Sequence, residues 1–279
     1  MRCRLFLPFL ATAGLLVSLQ AHAGTVKEIP VEYCGGYLWL KVSVAGQREP
    51  LNFVLDSGAA SSVLDIGVAR HLDVKLGRRI SVQGVHSRTT AWRIDNFVAR
   101  AAGIAMPASL LAVDLSAVSK TCHQPISGLL GADFFRDRIV QIDFAAGKVR
   151  LLDDIQPTTR CEVLPLKTRN GAFCVSVGIA GNPAQWMRVD TGCDSALEWA
   201  FNRSSEHQRF DTSIGLTSLH ACSISADVQL GSRTLRGVKT GVHDRQMFSG
   251  EAGLLGTALL SQFRVTIDAP GGRLFLENR

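Results

Sequence analysis

Hydrophobic and polar positions alternate over short stretches of this chain, and Gly, Asn or Pro interrupts each stretch. Alternation with a period of two is typical of half-buried strands, whereas long runs with the 3.6-residue helical period are scarce here. The first stretches predict strands at Val31–Glu32, Tyr37–Val44 and Leu51–Leu55, with turns at 34–36 and 45–47, where glycine tolerates a positive φ. The pattern therefore predicts an all-β fold that begins as a meander.

The same pattern returns in the second half of the chain, so the sequence is a duplication. It predicts strands at Cys161–Leu166, Phe173–Ile179 and Gln185–Val189, again separated by glycine-bearing turns. Each copy closes on Gly-Leu-Leu-Gly, at 128–131 and at 253–256, followed by a helical turn and two strands. We expect two lobes of similar construction.

A polar stretch at 153–159, which contains a proline, separates the copies and is typical of a linker or an exposed crossover. It places the predicted lobes at 24–154 and 155–279. Each lobe has the size of an ordinary domain with its own core.

The first 23 residues have the pattern of a signal peptide. Arg2 and Arg4 precede the apolar run Leu5–Leu19, and Ala21-His22-Ala23 fits the small-x-small cleavage pattern. A membrane anchor is the alternative, but about 15 apolar residues fall short of the roughly 20 that span a bilayer. We therefore expect a mature chain that starts near Gly24 and is periplasmic or secreted, with no membrane partner.

Charge and cysteine content narrow the function classes. The formal net charge is +6, but basic residues are scattered and not interleaved with aromatic ones, so no nucleic-acid partner is expected. Six cysteines remain after residue 23, an even number that predicts disulfides in an exported protein. They are Cys34, Cys122, Cys161, Cys174, Cys193 and Cys222. None has the spacing of a metal site, and neither a metal nor a cofactor is expected.

The most informative segments are Phe53–Ala59 and Met187–Cys193, where an apolar strand ends in Asp56 or Asp190. A hydroxyl residue and a glycine follow each carboxylate, and such a loop supplies the donors that a buried carboxylate needs. Two carboxylates about 3 Å apart share one proton, so one can deprotonate a water while the other protonates a carbonyl. Turn or N-cap roles for both residues are the alternative.

These motifs resemble the retropepsin and pepsin aspartic peptidases. Asp56-Ser57-Gly58-Ala59 fits the family pattern fully, and Asp190-Thr191-Gly192 fits it up to Cys193, where the family has Ala or Ser. The Leu-Leu-Gly of each copy matches the element that packs behind the Asp loop in that family. The resemblance covers nearly the whole mature chain and implies a two-lobed, pepsin-like closed β-barrel architecture with a cleft between the lobes.

The resemblance also implies roles for individual residues. Ser57, Gly58, Thr191 and Gly192 would support the two loops, with the hydroxyls bracing one loop against the other. A flap would lie around the Gly84 segment, in which Trp92 could line the cleft or belong to the core.

Export affects two further expectations. Cys193 is predicted to be a disulfide partner, with a reactive thiol as the alternative. Only residues 24–30 precede the first predicted strand, so a long prosegment is not expected.

Together these observations predict an aspartic endopeptidase that hydrolyses peptide bonds with a water activated between Asp56 and Asp190. Its partner would be a peptide or protein substrate, and one chain would complete the site as a monomer. Two alternatives stay open: a non-catalytic periplasmic peptide-binding protein on the same fold, and an envelope-assembly subunit.

Overall fold

The structure, a computed structural model, describes residues 27–85, 88–122, 124–155, 161–201, 209–211, 219–244 and 246–279, with the backbone alone described at 209–211 and 219–221. The expected signal peptide and positions 156–159 of the expected linker lie outside these ranges. Within them, no helix combines the length and the apolar character needed to cross a membrane.

In the residues described, the first copy consists of short strands and three short helices. They are β1 (Lys27–Cys34), β2 (Tyr37–Val44), β3 (Leu51–Leu55), β4 (Val63–Asp65), α1 (Ile66–His71), β5 (Arg79–Gln83), β6 (Arg88–Ile94), β7 (Ala99–Ala101), β8 (Ile104–Ala105), β9 (Leu110–Val113), α2 (Ser116–Thr121), β10 (Gly128–Leu130), α3 (Ala132–Phe135), β11 (Ile139–Asp143) and β12 (Lys148–Leu152).

The second copy contains longer strands and, in its described part, one helix. Its elements are β13 (Cys161–Pro165), β14 (Lys167–Arg169), β15 (Ala172–Ile179), β16 (Gln185–Val189), β17 (Leu197–Ala200), β18 (Arg209–Asp211), β19 (Leu219–Leu230), β20 (Arg233–His243), β21 (Gly253–Leu255), α4 (Thr257–Leu260), β22 (Phe263–Asp268) and β23 (Arg273–Asn278). The predicted mostly-β, two-copy fold is confirmed.

A central antiparallel sheet joins the two copies. Its strands lie in the order β13-β23-β22-β11-β12-β1, so the outer halves come from different copies. β11 and β22 meet in the middle, where Val140 faces Ile267 and Gln141 faces Thr266. The Gln141 side-chain amide donates to the Thr266 hydroxyl at 3.3 Å. An approximate two-fold axis between β11 and β22 thus relates the copies.

The same arrangement of three strands carries the Asp loop in each copy. β10 runs parallel to β3 and antiparallel to β4, and β21 runs parallel to β16 and antiparallel to β17. A short helix, α3 or α4, follows β10 or β21. Strands buried on both faces read as continuous apolar runs, which explains Phe53, Val54 and Leu55 at the end of β3. This packing holds the ends of β3 and β16 in place.

The copies differ in their outer parts. The first copy has α1, which begins where the Asp65 carboxylate accepts hydrogen bonds from the Gly67 and Val68 amides, an ordinary N-cap. It also has the β5–β6 hairpin, whereas the second copy extends a long hairpin from β19 and β20. A large hydrophobic cluster contains residues from both copies, and a smaller one lies under the β5–β6 hairpin. The lobe boundary between 154 and 155 stays a prediction.

Candidate active site

Asp56 and Asp190 each occupy the first position after a buried strand, β3 or β16. The Asp56 amide donates to the Leu130 carbonyl at 2.9 Å, and the Asp190 amide donates to the Leu255 carbonyl at 2.9 Å. The acceptors belong to the Gly-Leu-Leu-Gly segments. These segments therefore fix the backbone of both Asp loops in the same way.

The predicted support hydroxyls join the two loops by four hydrogen bonds. The Ser57 hydroxyl donates to the Val189 carbonyl at 2.8 Å, and the Thr191 hydroxyl donates to the Leu55 carbonyl at 2.8 Å. In return, the Ser57 amide donates to the Thr191 hydroxyl at 2.9 Å and the Thr191 amide to the Ser57 hydroxyl at 3.2 Å. All partners are buried, so the cross-linked loops form one rigid unit.

The glycines of the two motifs let each loop approach the opposite carboxylate. A Cβ on Gly58 would lie 2.2 Å from Asp190 Cγ, and a Cβ on Gly192 would lie 2.5 Å from Asp56 Cγ. Both distances are far below any contact between carbon atoms. The structure thus brings Asp56, Asp190, Ser57, Gly58, Thr191 and Gly192 together at one place.

The two carboxylates are buried but accept hydrogen bonds from their own loops. The Ala59 amide donates to Asp56 Oδ1 at 2.9 Å, and the Gly192 amide donates to Asp190 Oδ1 at 2.9 Å. Burial raises the pKa of Asp56 above its ordinary value of 3.8, and the charge of Asp190 raises it further. Burial also raises the pKa of Asp190, and the Arg188 guanidinium opposes that rise. Such a pair keeps a proton where isolated carboxylates would lose theirs.

An ion pair beside the Asp loops was not expected from the sequence. Arg188, only 3 % exposed, donates from Nε and Nη2 to the carboxylate of Glu251 at 2.6 and 2.7 Å. Its Nη1 donates to the Gly58 carbonyl at 2.8 Å, and its guanidinium lies 3.4 Å from the centre of the Phe248 ring. Glu251 also accepts from the Asn170 side chain at 2.7 Å. The only signal in the sequence is a charge within an apolar strand.

Tyr37 takes part in a second cluster of polar side chains beside the Asp loops. No role for this residue was predicted from the sequence. The Tyr37 hydroxyl hydrogen-bonds the Cys122 thiol, and burial raises the pKa of Tyr37, with the charge of Asp194 adding to the effect. A Cβ on Gly36 would lie 2.5 Å from Asp194 Cβ. The turn between β1 and β2 therefore packs directly on the second Asp loop.

The structure does not contain the expected disulfides. Cys34, Cys122, Cys161, Cys174, Cys193 and Cys222 are all free thiols. The Cys193 sulfur lies 3.1 Å from the Ser195 hydroxyl. Burial raises the pKa of Cys193, and the nearby Asp190 charge raises it further, so the thiol stays protonated and is a poor nucleophile.

The segment predicted as a flap contributes to the β5–β6 hairpin, and its role as a flap stays a prediction. The side chains of Ile80 and Val82 pack on the small cluster that contains Val54, in the strand leading to Asp56. Trp92 is half-buried against the large core cluster, which favours the interpretation that it belongs to the core and does not line the cleft. His86 and Ser87, which lie between β5 and β6 in the sequence, are outside the described residues.

Other candidate sites are weaker. Within the described ranges, no group of three His, Cys, Asp or Glu side chains could hold a metal. Two surface cavities lie away from the carboxylates, one of about 310 Å³ beside Trp199 and one of about 610 Å³ beside Arg100. Neither cavity is lined by Asp56 or Asp190. The paired, buried carboxylates therefore identify the candidate active site better than cavity volume does.

Comparisons with known proteins bear on the family and on the fold. Residues 40–134 match the family model described as aspartyl protease, a range that includes Asp56 and the first Gly-Leu-Leu-Gly. Among solved structures, the chain is similar to the aspartic proteinase from Irpex lacteus, with a TM-score of 0.57 and 13 % identity over 91 % of this chain and 97 % of that chain. No curated protein sequence matches the chain.

Proposed function

We propose that this chain is an endopeptidase that activates a water between Asp56 and Asp190. The aspartyl protease match and the pepsin-like fold support an aspartic-type hydrolase, and the proposal proceeds from that premise. The observation that carries the proposal is the pair of buried carboxylates on two loops locked together by the Ser57 and Thr191 hydroxyls. Neither loop alone would provide both an acid and a base.

The reaction follows from the shared proton. The ionised carboxylate takes a proton from water as the water oxygen attacks the scissile carbonyl carbon. The protonated carboxylate gives its proton to the carbonyl oxygen, which produces a neutral tetrahedral diol. When the C–N bond breaks, the first carboxyl returns its proton to the leaving nitrogen and the second recovers one from the diol. Both carboxyls end as they began.

The substrate is an extended stretch of peptide or protein chain. The β5–β6 hairpin packs on the hydrophobic cluster that contains Val54, two residues before Asp56, so a chain bound at the dyad would run past this hairpin. We expect one polypeptide to form the whole site as a monomer, with no nucleic-acid partner and no membrane attachment.

The compartment is part of the proposal. The pattern of residues 1–23 supports export and action in the periplasm or outside the cell. N-terminal sequencing of protein recovered from cell fractions tests it. A mature form that begins at Gly24 outside the cytoplasm is expected, and an uncleaved cytoplasmic chain would contradict export.

The test of function is incubation of the purified protein with a peptide library, with products identified by mass spectrometry. Internal cleavage is expected, and Asp56→Asn and Asp190→Asn should each abolish it because neither variant can hold one proton and one negative charge. A pepstatin-like transition-state mimic should bind the wild type. Peptide binding without cleavage would favour the non-catalytic peptide-binding protein, and cleavage by either Asn variant would exclude the proposed dyad.

A further inference from the structure

The ion pair of Arg188 and Glu251 breaks the two-fold symmetry of the Asp loops. Arg188 lies two residues before Asp190, and the residue two before Asp56 is Val54. Glu251 lies two residues before Gly253, and the residue two before Gly128 is Ile126. A buried charged pair in the second copy thus replaces a buried apolar one in the first.

The backbone confirms that these places are equivalent. The Ala252 amide, next to Glu251, donates to the Trp186 carbonyl at 2.8 Å. In the first copy, the Ser127 amide donates to the Asn52 carbonyl at 2.8 Å. Val54 and Ile126 belong to one hydrophobic cluster. The two copies therefore share a backbone arrangement and differ in the charge it holds.

Arg188 extends beyond its own copy to the opposite loop. Its Nη1 donates to the Gly58 carbonyl, and Gly58 is the residue that lies against the Asp190 carboxylate. The guanidinium is thus held beside the dyad from the second-copy side, oriented by both Glu251 oxygens. Val54 offers neither a charge nor a donor to the equivalent carbonyl of Gly192.

We propose that Arg188 makes the two carboxylates unequal, so that in the free enzyme Asp190 carries the negative charge and Asp56 carries the shared proton. This inference rests on the proposed function. Asp190 is then the base that takes the proton of the attacking water, and Asp56 is the acid that protonates the substrate carbonyl. Arg188 is buried and donates to Glu251 and to the Gly58 carbonyl, so it acts on the reaction through the carboxylates and is a positioning residue.

The charged groups around Arg188 are consistent with this assignment. Glu251 faces it from the loop before β21, and Cys174 on β15 lies opposite it in the sheet. Arg169, at the end of β14, acts on Cys174 through its charge. Burial raises the pKa of Cys174 to about 12, so this thiol adds no charge. Burial raises the pKa of Asp190 and the Arg188 guanidinium opposes that rise, whereas burial and the Asp190 charge both raise the pKa of Asp56. The bond from Arg188 to the Gly58 carbonyl holds this charge beside the Asp190 carboxylate.

Carboxyl NMR titration of protein labelled at aspartate tests the assignment without using activity. Asp190 is observed in Asp56→Asn and Asp56 in Asp190→Asn, and we expect Asp190 to titrate about one pH unit or more below Asp56. Arg188→Met should narrow this difference, while Arg188→Lys, which keeps the charge, should preserve most of it. Equal pKa values, or equal shifts of both groups, would overturn the inference.

Glu251→Gln provides a second arm that does not depend on the folding of Arg188→Met. It keeps the shape of the pair but removes the charge that opposes Arg188, so Asp190 should titrate at lower pH. Cleavage is then measured in variants that keep both Asp56 and Asp190. The acidic limb of the pH profile of kcat/KM should move to lower pH in Glu251→Gln and to higher pH in Arg188→Met. Shifts in the same direction would show a merely structural role. Cleavage by the Asn variants would instead count against the proposed function and leave the titration readable.

Discussion

At the scale of single residues, the loops combine two requirements that oppose each other. The carboxylates must leave water to acquire raised pKa values, yet a buried carboxylate without hydrogen bonds is costly. The Ala59 and Gly192 amides satisfy one oxygen of each carboxylate, and the Ser57 and Thr191 hydroxyls fix the loops without consuming carboxylate oxygens. The remaining oxygens are thus left for the hydrogen bond between the two carboxyls, for water and for substrate.

The glycine contacts lead to the first residue-scale prediction. Gly58→Ala would place a Cβ 2.2 Å from Asp190 Cγ, so the carboxylate must move and cleavage should fall about 10²-fold or more. Gly181→Ala is the matched control, because its φ of +75° strains the variant while nothing lies within 4 Å of the new Cβ. It should lose stability, about 1 kcal/mol, and keep its cleavage rate. Similar rates for both variants would contradict the close approach.

The raised pKa values lead to a prediction about stability. Native Asp56 binds a proton that the unfolded chain releases near pH 3.8, so its contribution is complete below that pH and is lost as pH rises toward the raised native value. Asp56→Asn lacks this loss. The free energy of unfolding of Asp56→Asn, relative to that of the wild type, should therefore increase between pH 4 and pH 7. The increase should be up to about 1.4 kcal/mol per pH unit. Urea denaturation at both pH values measures the gain, and parallel pH dependences would refute it.

The two carboxylates that the sequence predicts as the dyad share one property. Asp56 and Asp190 stand out because each ends an apolar strand and the motif occurs twice, so local pattern and duplication agree. Arg188 could not be found in this way, because a charged residue near a strand end ordinarily points to solvent. Only the tertiary contact with Glu251, distant in sequence, shows that this guanidinium is buried.

At the scale of elements, strands were predicted best where turns and alternation both mark their ends. Tyr37–Val44, Leu51–Leu55 and Gln185–Val189 agree with β2, β3 and β16. The predicted Val31–Glu32 is too short, because β1 pairs with β12 through Pro30 and then with β2. The long β19–β20 hairpin and the order of the central sheet depend on pairing between distant segments, which local periodicity does not encode.

The central sheet leads to an element-scale prediction. Ile267 on β22 is fully buried and lies opposite Val140 of the other copy. Ile267→Ala should lower the free energy of unfolding by about 2–5 kcal/mol, since it leaves a cavity in a sheet that both copies share. Val163→Ala, on edge strand β13 of the same sheet and 45 % exposed, should change it by no more than about 0.5 kcal/mol. Equal urea midpoints for the two variants would contradict the shared core.

At the scale of the whole molecule, the two copies share their main structural features because they belong to one duplicated chain. The central sheet, the large hydrophobic cluster and the cross-linked Asp loops all combine residues of both copies. The Thr257 hydroxyl adds a contact by donating to the Gly36 carbonyl at 2.6 Å. Each Asp loop is therefore held in part by residues of the other copy.

Because both carboxylates come from one chain, the site should form within each molecule and not between molecules. An equimolar mixture of Asp56→Asn and Asp190→Asn should therefore stay inactive after co-incubation, although each variant contributes one intact loop. If two chains exchanged copies, some mixed sites would contain both native carboxylates, and cleavage would return. Specific activity of the wild type should likewise be unchanged on dilution, because a one-chain site has no subunits to lose. Light scattering should give the mass of one chain. Restored cleavage in the mixture, or activity that falls on dilution, would show that the working enzyme is an assembly of at least two chains.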